Sequence, residues 1–182
     1  MILDWVKIAL AVLLLAVLQL SAMPQLTPSS ATPDLLLILV VAVAMLRGVE
    51  AAVITGFAAG VLLDAMTMGT MGLSSLLYMG AGAGVALRLE PSEQALGPVG
   101  SPLPPRPALQ FVYVVAATAA VQVGLALAHV LLGDSYPARD ELASVIVPTL
   151  IQTAVAALVL LPLLRRLLPY RPRIDVSAIA TA

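Results

Sequence analysis

Residues 34–88 read DLLLILVVAVAMLRGVEAAVITGFAAGVLLDAMTMGTMGLSSLLYMGAGAGVALR. Small residues recur every four positions at Ala52, Gly56 and Gly60, and the series ends at Asp64. A second series runs through Gly72, Leu76, Gly80 and Gly84 and ends at Arg88. At 3.6 residues per turn, each series falls on one face of a helix. Two apolar helices with small stripes, joined by a tight turn, bring backbones close together. This hairpin is expected to form the core around which the chain is organised.

The solvent follows from composition. The chain is 61% hydrophobic and only 10% charged, with a mean hydropathy of +1.06. A soluble domain carries about 25% charged residues. A chain of 182 residues has no soluble fold that hides so much apolar surface. An integral membrane protein of a single domain is expected, because no polar block is long enough for a second core. Cysteine is absent, which excludes disulfides and thiol chemistry. The first apolar run, Trp5 to Leu20, has Asp4 and a single Lys7 before or within it. It reads as a retained membrane helix rather than a signal peptide.

The break at Arg47-Gly48 decides the number of spans. One long helix through it would place Arg47 and Glu50 near mid-membrane, where a lone charge costs at least about 2.5–3.5 kcal/mol on insertion scales. Two shorter helices would put both charges at a surface turn, where the pair, three residues apart, can interact. The charge distribution favours the second reading. With the N-terminus inside, six spans follow at about 5–22, 34–46, 49–64, 70–88, 109–132 and 144–168. Lys7, Arg47, Arg88, Arg106, Arg165, Arg166, Arg171 and Arg173 then lie on the cytoplasmic side, and only Arg139 lies outside. Cytoplasmic loops carry the Lys/Arg excess. Both termini are therefore expected in the cytoplasm. Residues 89–108, rich in proline, glycine and serine, read as a mobile cytoplasmic linker. Residues 170–182 read as a disordered tail. Pro148 and Pro162 are expected to kink or end the last helix.

Few residues suggest chemistry. The pairs Gly56/Gly60 and Gly80/Gly84 are G-x-x-x-G motifs, which pack helices closely in lipid, either within one protein or against a partner. Asp64 is expected at the outer edge of the third helix, as a water-facing helix end or a turn cap, or meeting a cationic group on a partner or a neighbouring helix. Arg47, Gly48 and Glu50 are expected to form the cytoplasmic turn, where glycine suits the reversal. His129 stands alone near the outer end of the fifth span and reads as a hydrogen-bonding residue. Gln19, Gln110, Gln122 and Gln152 read as interhelical bonders. No nucleophile–base pair, phosphate-binding loop or metal-ligand cluster is present. No catalysis, metal or cofactor is expected, and no nucleic-acid partner. The arginine-rich tail suits anionic lipid headgroups.

The order of features resembles the MreD family of bacterial rod shape-determining membrane proteins. Pro33-Asp34, Arg47-Gly48 and the run GFAAGVLLDAMTMGTMGLSSLLY carry the match. Within that run Gly56, Phe57, Gly60, Asp64, Gly69, Gly72 and Leu73 fit a G-x-x-x-G-x-x-x-D then G-x-x-G-L pattern. About a third of the chain is covered by motif, and the rest agrees in span order and length only. The proline-rich linker departs from the family. The resemblance implies a non-enzymatic member of the cell-elongation complex in the inner membrane. Its implied partners are MreC, the peptidoglycan synthase pair of RodA and its class B penicillin-binding protein, and, indirectly, the MreB filament. It also implies a fold similar to the membrane substrate-binding subunits of energy-coupling factor transporters.

That second likeness supplies a rival function, a vitamin-binding transporter subunit. Such a site needs polar and aromatic side chains converging at the outer helix ends. The chain holds one Trp, two Phe and four Tyr. Ala9, Ala11 and Ala16 do not provide the A-x-x-x-A pair that docks those subunits on their energising partner. The scaffold reading is favoured.

Overall fold

The computed structural model describes residues 2–21, 32–68, 70–89, 107–132 and 139–168. They form six helices: α1 (Ile2–Ser21), α2 (Leu35–Arg47), α3 (Val49–Thr67), α4 (Leu73–Arg88), α5 (Pro107–Leu132) and α6 (Arg139–Leu167). Stretches of α1, α3, α5 and α6 are long and apolar enough to cross a membrane. The chain is a multi-pass membrane protein. The expected linker lies outside the described residues except at its ends, Leu89 and Pro107-Ala108. The expected disordered tail lies wholly outside them.

Helix α2 sits at the centre. Its sequence, LLLILVVAVAMLR, is apolar all the way round, and such a helix belongs inside a bundle. Leu35 through Leu46 are all buried, and α2 packs against each of the other five helices. Its 13 residues rise about 20 Å, short of a hydrocarbon core of about 30 Å. A short helix is tolerated in a membrane when protein surrounds it on every side. The surrounding helices meet the lipid instead. Leu10 and Leu14 on α1, Phe57 on α3 and Leu158 on α6 are all exposed.

The break between α2 and α3 is a single residue. Gly48 has φ +86° and ψ −172°, a conformation essentially restricted to glycine. Its N–H still donates to Ala44 O, and its carbonyl accepts from Ala52 N–H. The chain thus reverses without leaving these two backbone groups unbonded.

The α3–α4 hairpin makes the most extensive helix contact in the molecule. It differs in its turn from the sequence reading. Helix α3 continues to Thr67 instead of ending near residue 64, and α4 begins at Leu73. Asp64 therefore lies in the last turn of α3, buried rather than facing water. Helix α6 runs through both Pro148 and Pro162. It also begins five residues earlier than expected, taking in Arg139.

Candidate functional site

Buried polar and charged side chains meet at both ends of α2. At the N-terminal end, Asp34 is the cap. Its Oδ1 accepts from Leu37 N–H at 3.1 Å. The Tyr78 hydroxyl from α4 donates to both carboxylate oxygens, at 2.7 and 2.8 Å. Asp34 N–H donates to Thr153 Oγ1 of α6 at 3.0 Å, and Leu36 N–H donates to Gln19 Oε1 of α1 at 3.1 Å. Four helices thereby contribute to one knot. The reason is physical. The first N–H groups of a helix have no partner within it, and each one left bare in an apolar interior costs about 1–3 kcal/mol. The positive end of the helix dipole also favours a carboxylate there. Asp34 is 8% exposed and Tyr78 only 2%, so water does little of this work.

At the opposite end, Arg47 completes the electrostatics, a cation at the negative end of the dipole. Its Nη2 lies 3.5 Å from Asp4 Oδ1 on α1, and the two side chains are 11% and 9% exposed. The sequence reading paired Arg47 with Glu50 at a surface turn. The structure brings Arg47 to Asp4 of α1, and Glu50 lies on the exposed side of the first turn of α3.

The small stripe of α3 faces α4. A Cβ on Gly56 would lie 2.9 Å from Tyr78 C and O and Met79 N. A Cβ on Gly60 would lie 2.7 Å from Ser74 C and still closer to Ser75 N and Cα. Backbone meets backbone here, and no side chain fits between. Asp64, one turn further on, accepts from Gly72 N–H through Oδ2 at 2.7 Å. It ties the hairpin shut at the start of α4.

The second glycine pair lies elsewhere. A Cβ on Gly80 or Gly84 would meet nothing within 4 Å. Both border a groove of about 520 Å³ between α4 and α5, with Arg88, Tyr113, Ala116 and Ala120 among its other walls. The inward glycine of α4 is Gly82, which the sequence reading did not single out. A Cβ there would approach Val40 Cγ1 of α2 at 2.9 Å and Ala52 of α3 at 3.3 Å. Two residues turn a helix by about 200°, so in G-x-G-x-G the middle glycine faces opposite to its neighbours. His129 is half-buried near the end of α5.

The knot, the hairpin and the buried ion pair all draw on the first ninety residues, apart from Thr153. The family model of the rod shape-determining protein MreD matches residues 1–90. The chain belongs to the MreD family. The match covers α1 to α4 and ends one residue after Leu89, so Gln19, Asp34, Arg47, Gly56, Gly60, Asp64 and Tyr78 all fall within it. No curated protein and no solved structure matches the chain. MreD is a family of rod shape-determining membrane proteins. Among the described residues, no three His, Cys, Asp or Glu side chains cluster to hold a metal ion.

Proposed function

We propose that this MreD-family chain is a non-enzymatic scaffold of the bacterial cell-elongation complex. It sits in the cytoplasmic membrane with six spans and both termini in the cytoplasm. There it docks an MreC-like partner, and so supports peptidoglycan synthesis by RodA and its class B penicillin-binding protein, alongside the MreB filament. Membership of the family gives the coarser part, a role in rod shape.

One observation supports the rest most strongly. The buried polar groups at the ends of α2 are engaged in holding the bundle itself. Asp34, Tyr78, Gln19 and Thr153 cap α2, and Asp64 closes the hairpin. What remains available is apolar surface of the outer helices, which suits helix docking in lipid. The Gly56/Gly60 face is occupied by α4, so a partner is expected on another face. A vitamin-binding reading has less support. Met68 and Met71 stand exposed at the hairpin tip, and Tyr78 is bonded to Asp34.

Depletion in a rod-shaped host tests the role. Cells losing the chain should round up, and expression of the wild type should restore rods. Rods that persist through complete depletion would remove the basis of the proposal.

A further inference from the structure

We propose that the groove between α4 and α5 holds an anionic phospholipid, with its phosphate on Arg88 and an acyl chain along Gly80, Gly84, Ala116 and Ala120. The proposal does not depend on the identity of any protein partner.

The groove has a graded chemistry. Leu76, Leu77, Ala81, Val85, Ala117 and Val121 also line it, so it is apolar along most of its length. Two polar side chains, Arg88 and Tyr113, stand in the lining. Arg88 is the last residue of α4, and Tyr113 lies near the start of α5. The two helices run antiparallel, so both groups mark the same end. From Gly80 to Arg88 is eight residues, about 12 Å along the helix. A slot with an apolar floor of that length and a guanidinium at its mouth is matched to an amphiphile with an anionic head.

Charge supports the choice of lipid over a second helix. Arg88 is exposed, and among the described residues it has no acidic partner. The same end of the bundle carries Lys7, Arg47, Arg165 and Arg166. That is the end expected in the cytoplasm, the leaflet in which anionic lipids concentrate, and basic pockets between membrane helices bind their headgroups there. A partner helix seated on the same floor would have to bring an acid to this cation or strand it. The missing Cβ atoms of Gly80 and Gly84 leave room for a chain in van der Waals contact with backbone.

Native mass spectrometry of the full chain released from detergent, with phosphatidylglycerol or phosphatidylcholine added, tests the inference. The wild type should retain phosphatidylglycerol preferentially. Arg88→Gln should lower that retention about fivefold, the factor carried by one arginine near an anionic surface. Gly84→Leu should lower it by filling the floor. Both positions are open, so both variants should keep the wild-type helix content and elution. Arg166→Gln, an exposed cation on α6, should retain the lipid as the wild type does. Equal retention of the two lipids, equal loss in all three variants, or no loss in Arg88→Gln would overturn the proposal. So would a photo-crosslinker placed at Gly84 that captures a polypeptide and no lipid in native membranes.

Discussion

Asp34 is the residue on which the most backbone depends. It supplies a side-chain acceptor to α2 and to Tyr78, and its own N–H is held by Thr153. Asp34→Ala should leave Leu37 N–H and the Tyr78 hydroxyl bare in an apolar interior, a loss of about 3 kcal/mol. Tyr78→Phe removes only the donor and should cost about 1.5–3 kcal/mol, the range for a hydrogen bond to a charged group. Asp34→Asn keeps an acceptor for the cap and should cost less than either. Unfolding by SDS titration in mixed micelles would rank the three. A Tyr78→Phe protein as stable as the wild type would mean that the hydroxyl is not needed to hold the carboxylate. This knot was only partly legible in the chain. An acid immediately before an apolar run is a cap signal, and Pro33-Asp34 stood out. Tyr78 lies 44 residues away and the Thr153 contact spans 119, and no local pattern announces either.

At the scale of elements, the two glycine pairs of the hairpin make opposite demands. Gly60 lies against the backbone of Ser74 and Ser75. Gly60→Ala should push α3 from α4 at a cost of about 3 kcal/mol, at the upper end for overpacking. Gly84 faces the open groove, and Gly84→Ala should stabilise α4 by about 0.5–1 kcal/mol through helix propensity alone. Thermal melts in detergent would separate the two, and equal effects would contradict the assignment of faces. Four-residue spacing told which residues share a face, but not which helix covers it. That is why Gly56/Gly60 and Gly80/Gly84 looked alike in sequence, and why Gly82 escaped notice between two members of the outward stripe. The break at Gly48 was legible because a charge and a glycine interrupt an apolar run. The position of α2 was not drawn from the sequence, although its uniform apolarity is what lets every side of it be buried.

At the scale of the whole molecule, one short capped helix is enclosed by five others, whose outward faces carry many exposed apolar side chains. The orientation proposed for it makes the α3–α4 tip external and the Gly48 turn cytoplasmic. Because the chain lacks cysteine, single substitutions report sidedness without background. Met68→Cys should react with a membrane-impermeant maleimide in intact spheroplasts, whereas Glu50→Cys should react only after lysis. The opposite pattern would invert the topology. The most direct test of the scaffold reading is what leaves the membrane with the chain. Affinity purification of the tagged wild type in mild detergent should bring an MreC-like protein in near-stoichiometric amount. Recovery of the intact, folded chain without that partner, from cells that contain both, would contradict the account.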